Sequence, residues 1–253
     1  MQKSLLMMPG SDSSSLPPEF QAIANEAIIY VKEHRKEIIR RFAGEDFPTS
    51  KNPISIFMAG SPGAGKTEYS KILLNILQED WGVSKTVRID ADEIRSTLPH
   101  YAGSNAYLFQ AAASIGVDKI HDYVLKKRKN FILDGTFSNK EIARSNISRS
   151  LCRDRRIIIV YIYQDPIIAW KFTKMREAKE GRRIPRDSFI DQFFSAGEVV
   201  QSMKGEFGEK IAIWLVEKNL ETKKENIRIN IDRIDSHLSN AYSRSQLESI
   251  LSL

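Results

Sequence analysis

The sequence predicts an α/β fold: a doubly wound, mainly parallel sheet of about five strands with helices on both faces. Three observations carry that expectation. Short apolar runs alternate with longer segments whose apolar residues recur every three or four positions. A glycine-rich turn leads from the first apolar run into an amphipathic segment. Two later runs end in the acids Asp90 and Asp134, and an open parallel sheet binds its ligands beyond the carboxyl ends of its strands.

The elements follow in order. Residues 1–18 are rich in Ser and Pro and are expected to form a flexible tail before a single domain over 19–253. From Glu19 to Phe42, the spacing of Ile23, Ala27, Tyr30, Val31, Ile38 and Phe42 predicts a helix, stopped by Gly44 and Pro48. Ile54–Met58 reads as a buried strand. Lys66 to about Gln78 reads as a helix whose apolar stripe is Ile72, Leu73, Ile76 and Leu77. Further strands are expected at Thr86–Asp90, Phe131–Asp134, Arg156–Tyr163 and Ile227–Ile231. A long helix is expected over Asn105–Lys127, and others around 139–151, 165–179, 187–203 and 208–218. A short terminal helix is expected within Ser236–Leu253.

Composition narrows the function classes. Across 253 residues, 42% hydrophobic and 28% charged side chains exclude a wholly disordered chain. A net charge of +6 suits an anionic ligand without requiring a nucleic acid. The basic run Lys126–Lys129 falls at a predicted helix end, where cations complement the helix dipole; a nucleic-acid patch is the other reading. One cysteine, Cys152, and four histidines offer neither a disulfide nor a zinc constellation. No stretch reaches the roughly 18 apolar residues of a membrane helix, and Leu5–Met8 is too short for a secretory signal. A cytoplasmic protein with no membrane partner is expected.

The sharpest feature is Gly60-Ser61-Pro62-Gly63-Ala64-Gly65-Lys66-Thr67, which fills the pattern G-x-x-x-x-G-K-[ST] between a strand and a helix. Its glycines let backbone N–H groups point at phosphate oxygens, and the helix N-terminus adds its positive end. Lys66 would reach the β- and γ-phosphates, and Thr67 would offer a hydroxyl to Mg²⁺. ATP and Mg²⁺ are therefore the expected cofactors. The loop alone separates neither a kinase nor a GTPase from an ATP-driven machine.

Asp134 stands where an acid commonly holds the metal. Asp92 is placed to orient an attacking hydroxyl and take its proton, with Asp90 as its rival. Arg176, Arg182, Arg183 and Arg186 crowd around Gly181 and Pro185, as a mobile lid over about 174–188 would require. Guanidinium groups there would stabilise the charge that spreads over a transferring phosphoryl group.

Several segments taken together resemble the zeta toxins. These are the phosphate loop, Ile89-Asp90-Ala91-Asp92-Glu93-Ile94-Arg95, Leu98-Pro99-His100-Tyr101, Leu133-Asp134-Gly135-Thr136 and Arg176…Arg182-Arg183-Ile184-Pro185, in that order over about residues 20–190. The resemblance implies a P-loop kinase that phosphorylates a hydroxyl of a small anionic metabolite, with a UDP-N-acetyl sugar as the leading acceptor. It implies Asp92 as catalytic base, with Lys66, Arg176 and Arg182 serving the phosphoryl group and Arg183 joining the ATP site. Asp118, Arg95 and Thr136 would contact substrate, and Thr67 and Asp134 would hold the metal. It also implies a small antitoxin protein as a possible partner. One departure is plain: where the family carries an arginine two residues after the threonine, this chain has Ser138, and Arg95 and Arg144 are the candidates to compensate. The alternatives are a polynucleotide or RNA-end kinase and a non-catalytic module that binds nucleoside triphosphates.

Overall fold

The computed structural model describes residues 17–219, 224–238 and 242–252. The tail expected over 1–18 lies almost wholly outside the described residues. Two helices, α1 (Pro18–Glu33) and α2 (Arg35–Ala43), replace the single helix expected over 19–42. The break falls at His34, whose backbone N–H and ring Nδ1 both bond the Tyr30 carbonyl, at 2.9 and 3.0 Å, while its ring stacks on Tyr30.

The strands are β1 (Ile54–Ala59), β2 (Val87–Asp90), β3 (Phe131–Asp134), β4 (Arg156–Tyr163), β5 (Ala212–Asn219) and β6 (Lys224–Ile229). They form one sheet in the order β2-β3-β1-β4-β5-β6. Every pairing is parallel except β5 with β6. The sheet thus has six strands rather than about five, because the helix expected over 208–218 is β5. Ile213-Trp214-Leu215-Val216 is apolar on consecutive positions and buried on both faces, a pattern that suits a central strand and gives a helix no polar side. The strand expected over Ile227–Ile231 begins earlier and ends at Ile229, because Asn230 adopts a φ of 56° that interrupts the ladder.

The remaining helices are α3 (Lys66–Glu79), α4 (Ala91–Arg95), α5 (Gln110–Lys126), α6 (Lys140–Leu151), α7 (Pro166–Glu180), α8 (Arg186–Phe207) and α9 (Arg244–Ile250). The expected 105–127 helix opens with a 3-10 turn over Ala106–Phe109 before α5. The starts of α6 and α7 follow ordinary capping chemistry. Asn139 accepts from Ile142 N–H, and Asp165 accepts from Ile167 and Ile168 N–H with Pro166 in the first turn.

Side-chain alternation along the strands builds two cores. Phe57, Ile89, Phe131, Ile159 and Leu215 face Val31, Ile38, Ile120, Ile147 and Val200 of α1, α2, α5, α6 and α8. On the other face α3 lays Leu73 and Leu77 on Ile56, Met58, Val160 and Val216. A third cluster joins α7, α8 and α9 through Ala169, Phe189, Ile190 and Leu247. Ile72, expected in the α3 stripe, is instead 49% exposed, since α3 meets the sheet along a narrow line. Among the described residues no helix is long and apolar enough to cross a membrane.

The two neighbouring positions on α3 give a direct check. Leu73→Ala removes a side chain only 2% exposed and is expected to cost about 2–5 kcal/mol in urea unfolding. Ile72→Ala is expected to stay within about 0.5 kcal/mol of the parent chain.

Candidate active site

The eight residues Gly60 to Thr67 run from the end of β1 into the first turn of α3, as the sequence predicts. The loop is clamped from two sides. Gly60 N–H donates to the Thr136 carbonyl at 3.1 Å, which fixes the loop to the end of β3. Gly63, at φ 71°, lies so close to α7 that a Cβ would stand 2.1 Å from the Ala169 carbonyl oxygen. Lys66 Nζ folds back into the loop and donates to the Gly60 and Ser61 carbonyls at 3.0 and 2.7 Å. Burial lowers this ammonium to about 8, against the opposing pull of Asp134.

Asp90 and Asp134 occupy the same rung of β2 and β3. Each is fixed there. Asp90 Oδ1 caps α4 by accepting from Asp92 N–H at 2.8 Å, and its Oδ2 accepts from Arg88 at 2.5 Å. Burial, then the nearby Asp134, pushes the Asp90 carboxyl up. Asp134 Oδ2 accepts from Arg88 at 2.6 Å and lies 2.9 Å from Ser70 Oγ. Both Asp90 oxygens are thus engaged within the protein, one by the α4 backbone and one by Arg88.

Asp92, in the first turn of α4, is the meeting point of three guanidiniums. Its Oδ1 accepts from Arg95 at 2.6 Å, and its Oδ2 accepts from Arg176 at 2.6 Å and from Arg182. Burial alone would raise this carboxyl, but Arg182, Arg95 and Arg176 outweigh it and hold it at about 2. Arg176 and Arg182 come from the far end of α7 and the turn after it, where Gly181 adopts φ 72°. These two arginines thus join α4 across the site. Arg95 is 1% exposed and is oriented by Gln110 Oε1, which accepts from its Nη2 at 2.6 Å.

The other expected site residues divide. Thr67 opens α3 below the loop, and the Thr136 hydroxyl lies 2.9 Å from Ser138 Oγ. Arg183 is exposed. Asp118 is half-buried on α5, and burial pushes it up to about 6 with Arg149 opposing. Among the described residues no hydrogen bond or ion pair joins Asp118 to the Asp92 cluster. Arg144, a candidate to compensate for Ser138, is on α6 and paired with Glu206 and Glu141. Arg95, the other candidate, is part of the Asp92 cluster. Within the basic run, Arg128 donates to the Lys51 carbonyl at 2.7 Å, and Lys129 donates to the Gly44 and Phe47 carbonyls.

Three residues escaped the sequence reading. Arg88 joins the two acids from mid-strand, and Gln110 orients Arg95. Lys218 at the end of β5 donates to the Gly65 carbonyl at 3.3 Å and pairs with Glu225 at 3.6 Å. Of these only Arg88 left a signal, as a cation inside an otherwise buried strand.

The family model for zeta toxins matches residues 40–232, a span that includes the phosphate loop, Asp92, Asp134, Arg176 and Arg182. The chain belongs to the zeta toxin family. No curated protein sequence matches it. Solved structures support the fold at low identity. A chain of the PezAT chromosomal toxin-antitoxin system of Streptococcus pneumoniae superposes with a TM-score of 0.60 at 16% identity, over 96% of each chain. The AvrRxo1-ORF1:AvrRxo1-ORF2 complex with sulphate ions gives 0.58 at 11% identity, over 92% of this chain and 78% of that one. The complex with ATP gives 0.55 at 11%, over 89% and 73%. This member of the family thus carries a mostly parallel six-stranded sheet with the glycine-rich loop after β1.

The charge environment predicts how stability follows pH. Asp92 titrates near 2 when folded and at 3.8 unpaired, so its contribution is complete above 3.8 and is lost as pH falls toward 2. Lys66 titrates near 8 against 10.5, so the unfolded chain binds the extra proton between those values and stability rises with pH there. Urea midpoints across both windows are expected to flatten in Asp92→Asn at low pH and in Lys66→Met at high pH.

Proposed function

We propose that this zeta toxin is an ATP-dependent phosphotransferase with an alcohol group as acceptor. The leading acceptor is a UDP-N-acetyl sugar, and Asp92 serves as the base. The observation that carries the reading is the convergence of Arg95, Arg176 and Arg182 on one carboxylate at the sheet end that also holds a complete phosphate loop.

ATP's phosphates would lie on the backbone N–H groups of residues 60–67, and Lys66 would exchange the Gly60 and Ser61 carbonyls for phosphate oxygens. Arg176 and Arg182 would move from Asp92 Oδ2 to the γ-phosphate, a stronger acceptor of the same geometry. That exchange frees Oδ2 while Arg95 keeps Oδ1 in place. The acceptor hydroxyl then attacks the γ-phosphorus, its proton passes to Asp92, the bond to the β–γ bridging oxygen breaks, and ADP leaves.

The donor set also fits Mg²⁺: the Thr67 hydroxyl and Asp134, whose Oδ1 is free of the contacts made by Oδ2, are hard oxygen ligands. Bound there, Mg²⁺ would neutralise the charge developing on the phosphates. The neighbouring PezAT and AvrRxo1 proteins come from a toxin-antitoxin system and a two-component complex, which supports a small antitoxin as this chain's partner.

Purified protein incubated with Mg-ATP and UDP-N-acetylglucosamine is expected to yield, by mass spectrometry, a product heavier by one phosphoryl group. The product should be absent with Lys66→Ala. Asp92→Asn is expected to keep ATP affinity while turnover falls by about 10²–10⁴. Arg182→Ala is expected to lose about 10³ or more in kcat. Wild-type turnover in Asp92→Asn would remove the base assignment. Lys218→Ala, which deletes the cation at the loop's outer edge, is expected to raise KM for ATP with kcat little changed.

A further inference from the structure

Arg88 points from β2 to the α3 side of the sheet and fills the space between the two facing acids. Its Nη2 donates to Asp90 at 2.5 Å and to Asp134 at 2.6 Å, its Nη1 to Glu93 at 2.5 Å, and its Nε to Ser70 Oγ at 2.8 Å. Ser70 Oγ, with one proton to give, lies 3.0 Å from the Thr67 carbonyl and 2.9 Å from Asp134. The side chains of Arg88 and Asp134 are 6% and 4% exposed. A guanidinium cannot give up its charge in a protein, so a permanent cation sits against the acid that the proposed function assigns to the metal. Among the described residues no group of three His, Cys, Asp or Glu side chains gathers to hold a metal by itself.

We propose that Arg88 is a resident counter-cation: it clamps Asp134 by one oxygen and prevents the nucleotide-free site from taking up a divalent cation. The metal then enters only together with the nucleotide's phosphates. The inference rests on the assignment of Asp134 in the proposed function. The physical reason is twofold. A divalent cation at Asp134 would meet the Arg88 guanidinium at close range, already occupying the Asp134, Asp90 and Glu93 carboxylates that would otherwise attract the metal. It would also find far fewer than the roughly six oxygen ligands it needs, until a triphosphate supplies both oxygens and negative charge. Arg88 acts through Asp134, so it is a positioning residue.

The test uses the full chain without nucleotide and Mn²⁺ as the probe, with free Mn²⁺ read by electron paramagnetic resonance. Wild type is expected to bind no Mn²⁺ at about millimolar concentration until a non-hydrolysable ATP analogue is added. Arg88→Met is expected to bind Mn²⁺ without nucleotide at least about ten-fold more tightly than wild type, because one repelling charge is gone. Asp134→Asn in that background should abolish the gain. Arg88→Lys keeps the charge but cannot span all four partners, and a gain of about three-fold is expected. It decides the matter if Arg88→Met fails to fold by circular dichroism. Nucleotide-independent Mn²⁺ binding by wild type that Asp134→Asn removes would overturn the proposal, as would no gain in a folded Arg88 variant. If Arg88→Met gains Mn²⁺ binding but the ATP analogue elicits none in wild type, the phosphotransfer reading and the joint entry of metal and nucleotide both fail, and only the exclusion of the cation by Arg88 stands.

Discussion

Three carboxylates, Asp90, Asp92 and Asp134, stand where β2 and β3 end, and arginines hold each of them. Buried acids carry a desolvation cost that is offset only by close, well-aligned partners. The arrangement of the site follows from how that requirement is met. Arg88 binds the two strand acids together and ties them to α3 through Ser70. Arg95, Arg176 and Arg182 bind Asp92 and draw the end of α7 over α4. The same guanidiniums suit phosphate oxygens, so the groups that hold the ligand-free protein together are those a phosphate-bearing ligand would recruit.

The phosphate loop was fully legible because all its chemistry is local: glycines, a lysine and a threonine at fixed spacing between a strand and a helix. Asp92 and the two lid arginines were legible as types in order, although 84 and 90 residues separate the partners. What sequence could not show was that they touch before any ligand arrives. Arg88 was missed because three of its four partners come from other elements, α3, α4 and β3, and only its burial marks it. β5 was misread as a helix because it follows a long amphipathic helix and its apolar run has no period of its own. Ile72 was placed in the core because a helical stripe wider than the contact line looks the same in sequence.

Ser138 illustrates how a departure from a family pattern is absorbed locally. Its hydroxyl turns to Thr136, whose own carbonyl holds the Gly60 N–H. The position therefore buttresses the loop in this chain, and Arg144 on α6 is engaged by the surface acids Glu141 and Glu206.

Helix α7 is held by backbone packing at its start and by ion pairs to Asp92 at its far end. Asp165 caps its first turn and accepts the Tyr242 hydroxyl at 2.6 Å, α9 packs beside it, and its Ala169 carbonyl is wedged against Gly63. Its other end, with Arg176, leads into the exposed turn at Gly181. It is a lever with a fixed fulcrum. Travel at the tip must come from bending or unwinding the last turns, because a rigid swing would drive the backbone of α7 into the loop it is built against. Any opening at the tip is thereby coupled to the geometry of the glycine-rich loop at the base of the helix.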